Sequence, residues 1–240
     1  MVVLGQNKEL LQAITDCRTL LRESTERPTN YNELVNAWPD FIGVKDASSH
    51  GVGGVVIGEL EACVPTAFRV EWPADVKANL VSEKNPNDTI TNSNLEIAGL
   101  LLLWLVMEKV CGVKPASHVA LFSDNSPTVH WVRRMAAKGS LVAGQLLRAL
   151  ALRMKVQGVS PLTPLHIEGK CYAMTDIPSC FFGSEPKWFC KSNADLCDLF
   201  NKKFPLPTQQ SWTVFHVSTD LFTKGLSILR MEVSTMEEWR

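Results

Sequence analysis

The feature that most constrains the fold is one stretch, Phe41 to Ile57, which reads FIGVKDASSHGVGGVVI. It begins as an apolar strand, ends that strand on Asp46, turns through small residues and leaves as a second apolar strand, the pattern of an antiparallel hairpin. A carboxylate at the end of a buried strand is costly to desolvate unless a cation or hydrogen-bond donors meet it there. Asp46 therefore requires a partner. The small residues Ala47, Ser48, Ser49, Gly51, Gly53 and Gly54 predict uncrowded surroundings, in which a bulky anionic ligand could approach the backbone. An ordinary hairpin with an Asp capping its turn explains the same residues, so the choice depends on the rest of the chain.

Ahead of the hairpin, Leu10, Leu11, Ile14, Leu20 and Leu21 recur at helical spacing between residues 4 and 27. They predict a helix packed beside the main domain, stopped at Arg27, Pro28 and Thr29, with a second short piece from Tyr31 to Trp38. After the hairpin, Ala67 to Trp72 predicts a third antiparallel strand, and Asp75 to Thr91 a polar loop. NSNLEIAGLLLLWLVMEKV is apolar almost all round and predicts a buried helix from about Asn92. Ser93 and Glu96 have capping-box spacing, which would give Glu96 a structural job. Equally, its place on the first turn would let it face Asp46.

His118 to Ser123 reads as a strand ending at Asp124, followed by a helix with Pro127 in its first turn. Asp124 would lie at the carboxyl end of that strand, where open α/β sheets place ligands, or it or Asn125 would simply cap the helix. Helices are predicted over Thr128–Ala137 and Leu141–Val156, the second ended by Gly158 and Pro161. A strand follows over Leu162–Ile167, and then a loop and helical turn carrying Asp176. Beyond Gly183 the pattern weakens, apart from a helix over Asn193–Phe200 and an apolar segment, Trp212–Val217, suited to docking.

The whole chain, 240 residues with a net charge of −1, points to no gross electrostatic partner. Locally, however, residues 125–167 contain no acid, while Arg133, Arg134, Lys138, Arg148, Arg153 and Lys155 fall among them. That segregation gives one face a positive field, or else two amphipathic helices with basic solvent faces. The seven cysteines have neither a CxxC pair nor zinc-finger spacing, so free thiols in a reducing compartment are expected. The run Ile97–Met107 is too short to span a bilayer, and the start of the chain has no signal-peptide pattern. An intracellular protein, cytoplasmic or nuclear and without a membrane partner, is expected.

Asp46, Glu96, Asp124 and Asp176 thus each fall at an end of a predicted element. If those ends converge, the carboxylates cannot all stay ionised without a counter-cation. Oxygen ligands with no His or Cys suit Mg2+ or Mn2+, and two such ions about 4 Å apart would support phosphodiester hydrolysis. The basic helices, through Arg133, Arg134, Lys138 and Arg148, with Ser48 and Asn125 beside two of the acids, would hold a nucleic-acid backbone.

These residues resemble the ribonuclease H family. VKDASSHGVGGVVI is similar to its first metal-binding strand and turn, NSNLEIAGLLLLW to its Glu-bearing helix and LFSDNSPTVHWVRR to its second Asp motif. More narrowly, the chain resembles the ribonuclease H region of retrotransposon polyproteins that also encode a tyrosine recombinase. The likeness runs over about residues 27–183. It implies an α/β, ribonuclease H-like fold with a mixed five-stranded sheet flanked by helices. It divides the chain into a helical lead-in at 1–39 that ends a reverse-transcriptase connection, the ribonuclease H-like domain at 40–183 and an extension at 184–240. Asp46, Glu96 and Asp124 would be metal ligands, Asp176 a peripheral fourth, and the activity metal-dependent cleavage of RNA in RNA–DNA hybrids. A reverse transcriptase in the same polyprotein would be a partner, although no YxDD motif gives this chain polymerase activity. Within GKCYAMTDIPSC, Tyr172, Thr175 and Cys180 stand where related retroelements commonly have Asn, Ala and Arg. A catalytically inactive domain of the same fold, binding nucleic acid or stabilising a polyprotein, therefore stays open as the alternative.

Overall fold

Burial alternates strictly along Phe41–Ala47: Phe41, Gly43, Lys45 and Ala47 are buried, and Ile42, Val44 and Asp46 between them are half-buried. That period of two makes the segment a strand covered on both faces, with odd and even residues facing different layers. A computed structural model describes residues 8–26, 28, 38–58, 63–83, 85–159, 162–169, 173–179, 182, 192–207 and 210–230 of the chain. The predicted piece over Tyr31–Trp38 lies outside them except for Trp38, which is exposed.

The elements in chain order are α1 (Lys8–Glu26), β1 (Phe41–Ala47), β2 (Gly51–Gly58), β3 (Thr66–Glu71), α2 (Ala74–Ala78), α3 (Asn92–Val110), β4 (Val119–Ser123), α4 (Ser126–Arg134), α5 (Leu141–Gln157), β5 (Thr163–His166), α6 (Ala173–Ser179), α7 (Asn193–Lys203), β6 (Thr213–Phe215) and α8 (Thr219–Leu229). The strands form one six-stranded mixed sheet in the order β5-β4-β1-β2-β3-β6. Among the described strands β2 alone runs against the rest, being antiparallel to β1 and β3, while β4, β5 and β6 are added in parallel. β5 pairs with β4, one strand removed from β1.

Helices cover both faces. On one, α3 lies across β1 and β2 and is itself covered by α5 and α8, so every residue from Asn94 to Met107 is buried. On the other, Ile177 of α6, Leu196 and Phe200 of α7 and Trp212 pack with Val55 and Ala67 in a smaller core. Gly158, at φ 64°, ends α5 in the left-handed conformation that glycine adopts without strain.

Several expectations are corrected. The sheet has six strands, not five: the segment beyond residue 183 supplies β6, whose Thr213 hydroxyl lies 3.0 Å from that of Thr66. The same segment supplies α8, where Leu221, Leu226, Ile228 and Leu229 join the larger core. The loop expected over Asp75–Thr91 contains α2. The N-cap of α3 is Thr91, which forms a capping box with Asn94, so Ser93 and Glu96 do not cap it. The apolar stripe of α1 faces outward: Leu10, Leu11, Ile14, Leu20 and Leu21 are exposed, while Asp16, Thr19 and Glu23 are buried. Asp16 lies 3.7 Å from the half-exposed Arg148 of α5. Cys63 and Cys111 are joined as a disulfide, against the expectation of free thiols, whereas Cys17 and Cys197 are free. Cys171, Cys180 and Cys190 lie outside the described residues.

Candidate metal centre

In the β1–β4 pairing the last matched residues are Val44 and Phe122. Two residues further along each strand come Asp46 and Asp124, so parallel register alone sets these acids side by side. Glu96 arrives from the first turns of α3, which crosses the same strand end. One oxygen from each of Asp46, Glu96 and Asp124 lies within 4.8 Å of the others. Asp46 and Asp124 are half-buried and Glu96 is buried.

Two further side chains complete the group. Lys45 has no exposed surface, and its Nζ donates to Glu96 Oε2. Because it precedes Asp46 on the strand, it turns to the α3 face while Asp46 turns to the other. There the Ser179 hydroxyl of α6 donates to Asp46 Oδ2 at 2.5 Å. A glycine makes that approach possible. Gly53 pairs with Asp46 across the hairpin, and a Cβ on it would stand 2.5 Å from the Ser179 backbone nitrogen and 2.6 Å from Pro178 Cβ. The glycines therefore do not leave open space for a ligand: α6 fills the space at Gly53, Phe182 that at Gly51 and Phe68 that at Gly54.

Burial is the main reason the Glu96 carboxyl is held above the usual carboxylate range. The adjacent Lys45 ammonium opposes the shift, and the charges of Asp46 and Asp124 add to it. Asp124 is raised too, by burial first and by Asp46 second, against Lys45. An uncompensated negative excess in a partly dry site has this effect, and a cation relieves it.

The three acids within 4.8 Å of one another do not include Asp176, whose expected place is peripheral; from α6 the Ser179 hydroxyl reaches Asp46. The expected nucleic-acid contacts fall into two sets. The Ser48 hydroxyl organises the β1–β2 turn, accepting from the backbone nitrogens of His50 and Gly51, each at 3.2 Å. Asn125 caps α4 by accepting from Thr128 N at 2.9 Å, so capping falls to Asn125 and Asp124 is left to the acid group. Arg148 pairs with Asp16, and Arg153 with the half-buried Glu108. Arg133 donates to the Pro164 carbonyl at 3.3 Å but is exposed, as are Arg134 and Lys138. His166 places Nε2 3.0 Å from the Asp124 carbonyl oxygen, and His50 is exposed in the turn.

Beside the acid group the opening turns of α3 and α5 meet, Asn94 Nδ2 donating to Ser140 Oγ at 2.9 Å. They border a groove of about 550 Å³ lined by Thr91, Pro127, Trp131, Lys138 and others.

Sequence reasoning missed Lys45 and Ser179. A lysine inside an otherwise apolar strand, immediately before the acid, was a legible signal for the first. Nothing local marked the second. No family model, no curated protein and no solved structure matches the chain.

Proposed function

We propose that the chain is a metal-dependent phosphodiester hydrolase of ribonuclease H-like fold, derived from a retroelement, that cleaves the RNA strand of RNA–DNA hybrids inside the cell. The observation that carries this reading is the meeting of Asp46, Glu96 and Asp124 within 4.8 Å. They come from positions 50 and 28 residues apart in sequence and are the three acids that the family resemblance assigns as ligands.

The donor set fits the cation. Three carboxylates and no nitrogen or sulfur make a hard, anionic site of the kind that takes Mg2+ or Mn2+. Such an ion, when bound, supplies an activated water and stabilises the leaving oxygen of a phosphodiester. The chain's own residues do the rest. Asp46 is oriented by the Ser179 hydroxyl, Glu96 is kept in place by Lys45, and Asp124 is held at its strand end by the backbone. The groove at the start of α3, lined by the exposed Lys138, supplies positive charge and helix N-termini for a nucleic-acid backbone. 2′-hydroxyl contacts would distinguish the RNA strand. A reverse transcriptase in the same polyprotein is the proposed partner.

The experiment is cleavage of a labelled hybrid by the purified protein with and without Mg2+. Asp46→Asn is expected to abolish Mg2+-dependent cleavage while the circular dichroism spectrum stays unchanged; undiminished cleavage by this variant overturns the reading. The departures at Tyr172, Thr175 and Cys180 in the Asp176 motif favour a second reading, a silent domain of the same fold. Salt-sensitive hybrid binding by the wild-type protein, without turnover in Mg2+ or Mn2+, would select it.

A further inference from the structure

We propose that Lys45 is a built-in cation of the acid group, filling the place of one divalent ion, so that this centre takes a single divalent ion and not a pair. The inference rests on the metal-binding reading above and departs from its two-ion expectation. Three carboxylates and one ammonium leave two net negative charges. One divalent ion neutralises them. A second would leave the group with two net positive charges beside an ammonium that has no contact with solvent, a costly arrangement at low dielectric.

Lys45 cannot simply withdraw to make room. A surface lysine swings its head into water, but this one enters the α3 face of the sheet with its stem enclosed. Gly99, one turn beyond Glu96, sets the slot: a Cβ there would stand 2.8 Å from Val52 Cγ2 and 3.6 Å from both Lys45 Cδ and Ala47 Cβ. Strand parity gives Lys45 this direction, since Phe41, Gly43 and Ala47 point the same way. The bond to Glu96 also uses one of that carboxylate's two oxygens.

The test is Mn2+ binding to the intact chain, with Mn2+ alone as probe, followed by titration calorimetry and by electron paramagnetic resonance at saturation. The wild-type protein is expected to bind one Mn2+ per chain, lost in Asp124→Asn, with the spectrum of an isolated ion. Lys45→Met, close in shape and uncharged, is expected to bind a second Mn2+ and to show spin coupling between the two. Two coupled ions in the wild-type protein overturn the inference and leave the metal reading standing. No Mn2+ that depends on Asp46, Glu96 and Asp124 overturns the metal reading and the inference with it. If Lys45→Met does not fold, the wild-type spectrum still decides between one ion and a coupled pair.

Discussion

The two ends of α3 carry the same device with opposite outcomes. At each, a glutamate bounding the apolar run meets a cation from another element, Glu96 buried and Glu108 half-buried. At the carboxyl end, Glu108 accepts from Trp104 Nε1 at 2.6 Å and from Arg153 Nε at 3.0 Å, while Arg153 Nη2 holds its second oxygen. Both oxygens of Glu108 are used, and the result is a brace between α3 and α5. At the amino end, Glu96 has one lysine and two more carboxylates, Asp46 and Asp124, inside the same small volume. Burial alone does not make a buried glutamate reactive. The unbalanced charge around it decides whether it braces the fold or waits for a further cation.

The contrast is broken most directly by making the same change at both ends. Glu96→Gln removes the carboxylate bonded to a lysine with no exposed surface and is expected to cost about 3–5 kcal/mol in urea denaturation. Glu108→Gln removes the carboxylate bonded to the half-buried Arg153 and is expected to cost about 1.5–3 kcal/mol. Equal losses would mean that the two ends do the same work.

Next in size is the response to metal. Mn2+ at a hundredfold excess over its dissociation constant should stabilise the wild-type protein by about 2.7 kcal/mol. Glu108→Gln should keep that increment in calorimetry and Asp124→Asn should lose it. A smaller change is expected from Ser179→Ala, which frees Asp46 Oδ2 from its donor and should weaken Mn2+ binding by about tenfold. Unaltered affinity in that variant would show that the strand backbone orients Asp46 unaided.

The smallest effect is with pH. Glu96 and Asp124 have folded-state pKa values above their ordinary 4.5 and 3.8. Over the interval above those ordinary values the folded chain holds protons that the unfolded chain has released. The metal-free contribution of this site to stability therefore falls as pH rises through that interval. Bound Mn2+ must displace the same protons, so the increment it adds should grow as pH rises. Comparing wild-type protein with Asp124→Asn across that interval isolates the site, and an identical pH response in the two would remove the coupling.

Much of the architecture was legible because it is written in local periods. The hairpin, the strand before Asp124, the buried α3 and the Gly158 end of α5 follow from alternation, apolar runs and caps. α8 was also available, with Ser218 capping a segment whose leucines recur at helical spacing, but it stood beyond the point where the pattern weakened. The outward stripe of α1 was not available. Leucines at helical spacing say that a helix has an apolar face; they do not say which face the rest of the chain will cover, here the one that carries Asp16, Thr19 and Glu23.

By itself, the order of residues determined that acids at 46, 96 and 124 would end a strand, open a helix and end another strand, because element ends are signalled by neighbours a few positions away. Only the tertiary structure decided what joined them. Lys45 finds Glu96 across 51 residues and Ser179 finds Asp46 across 133. The physical reason is that a side chain's charge partner is set by sheet register and helix approach, as at Gly53 and Gly99, where the missing Cβ lets one layer come close enough to deliver it.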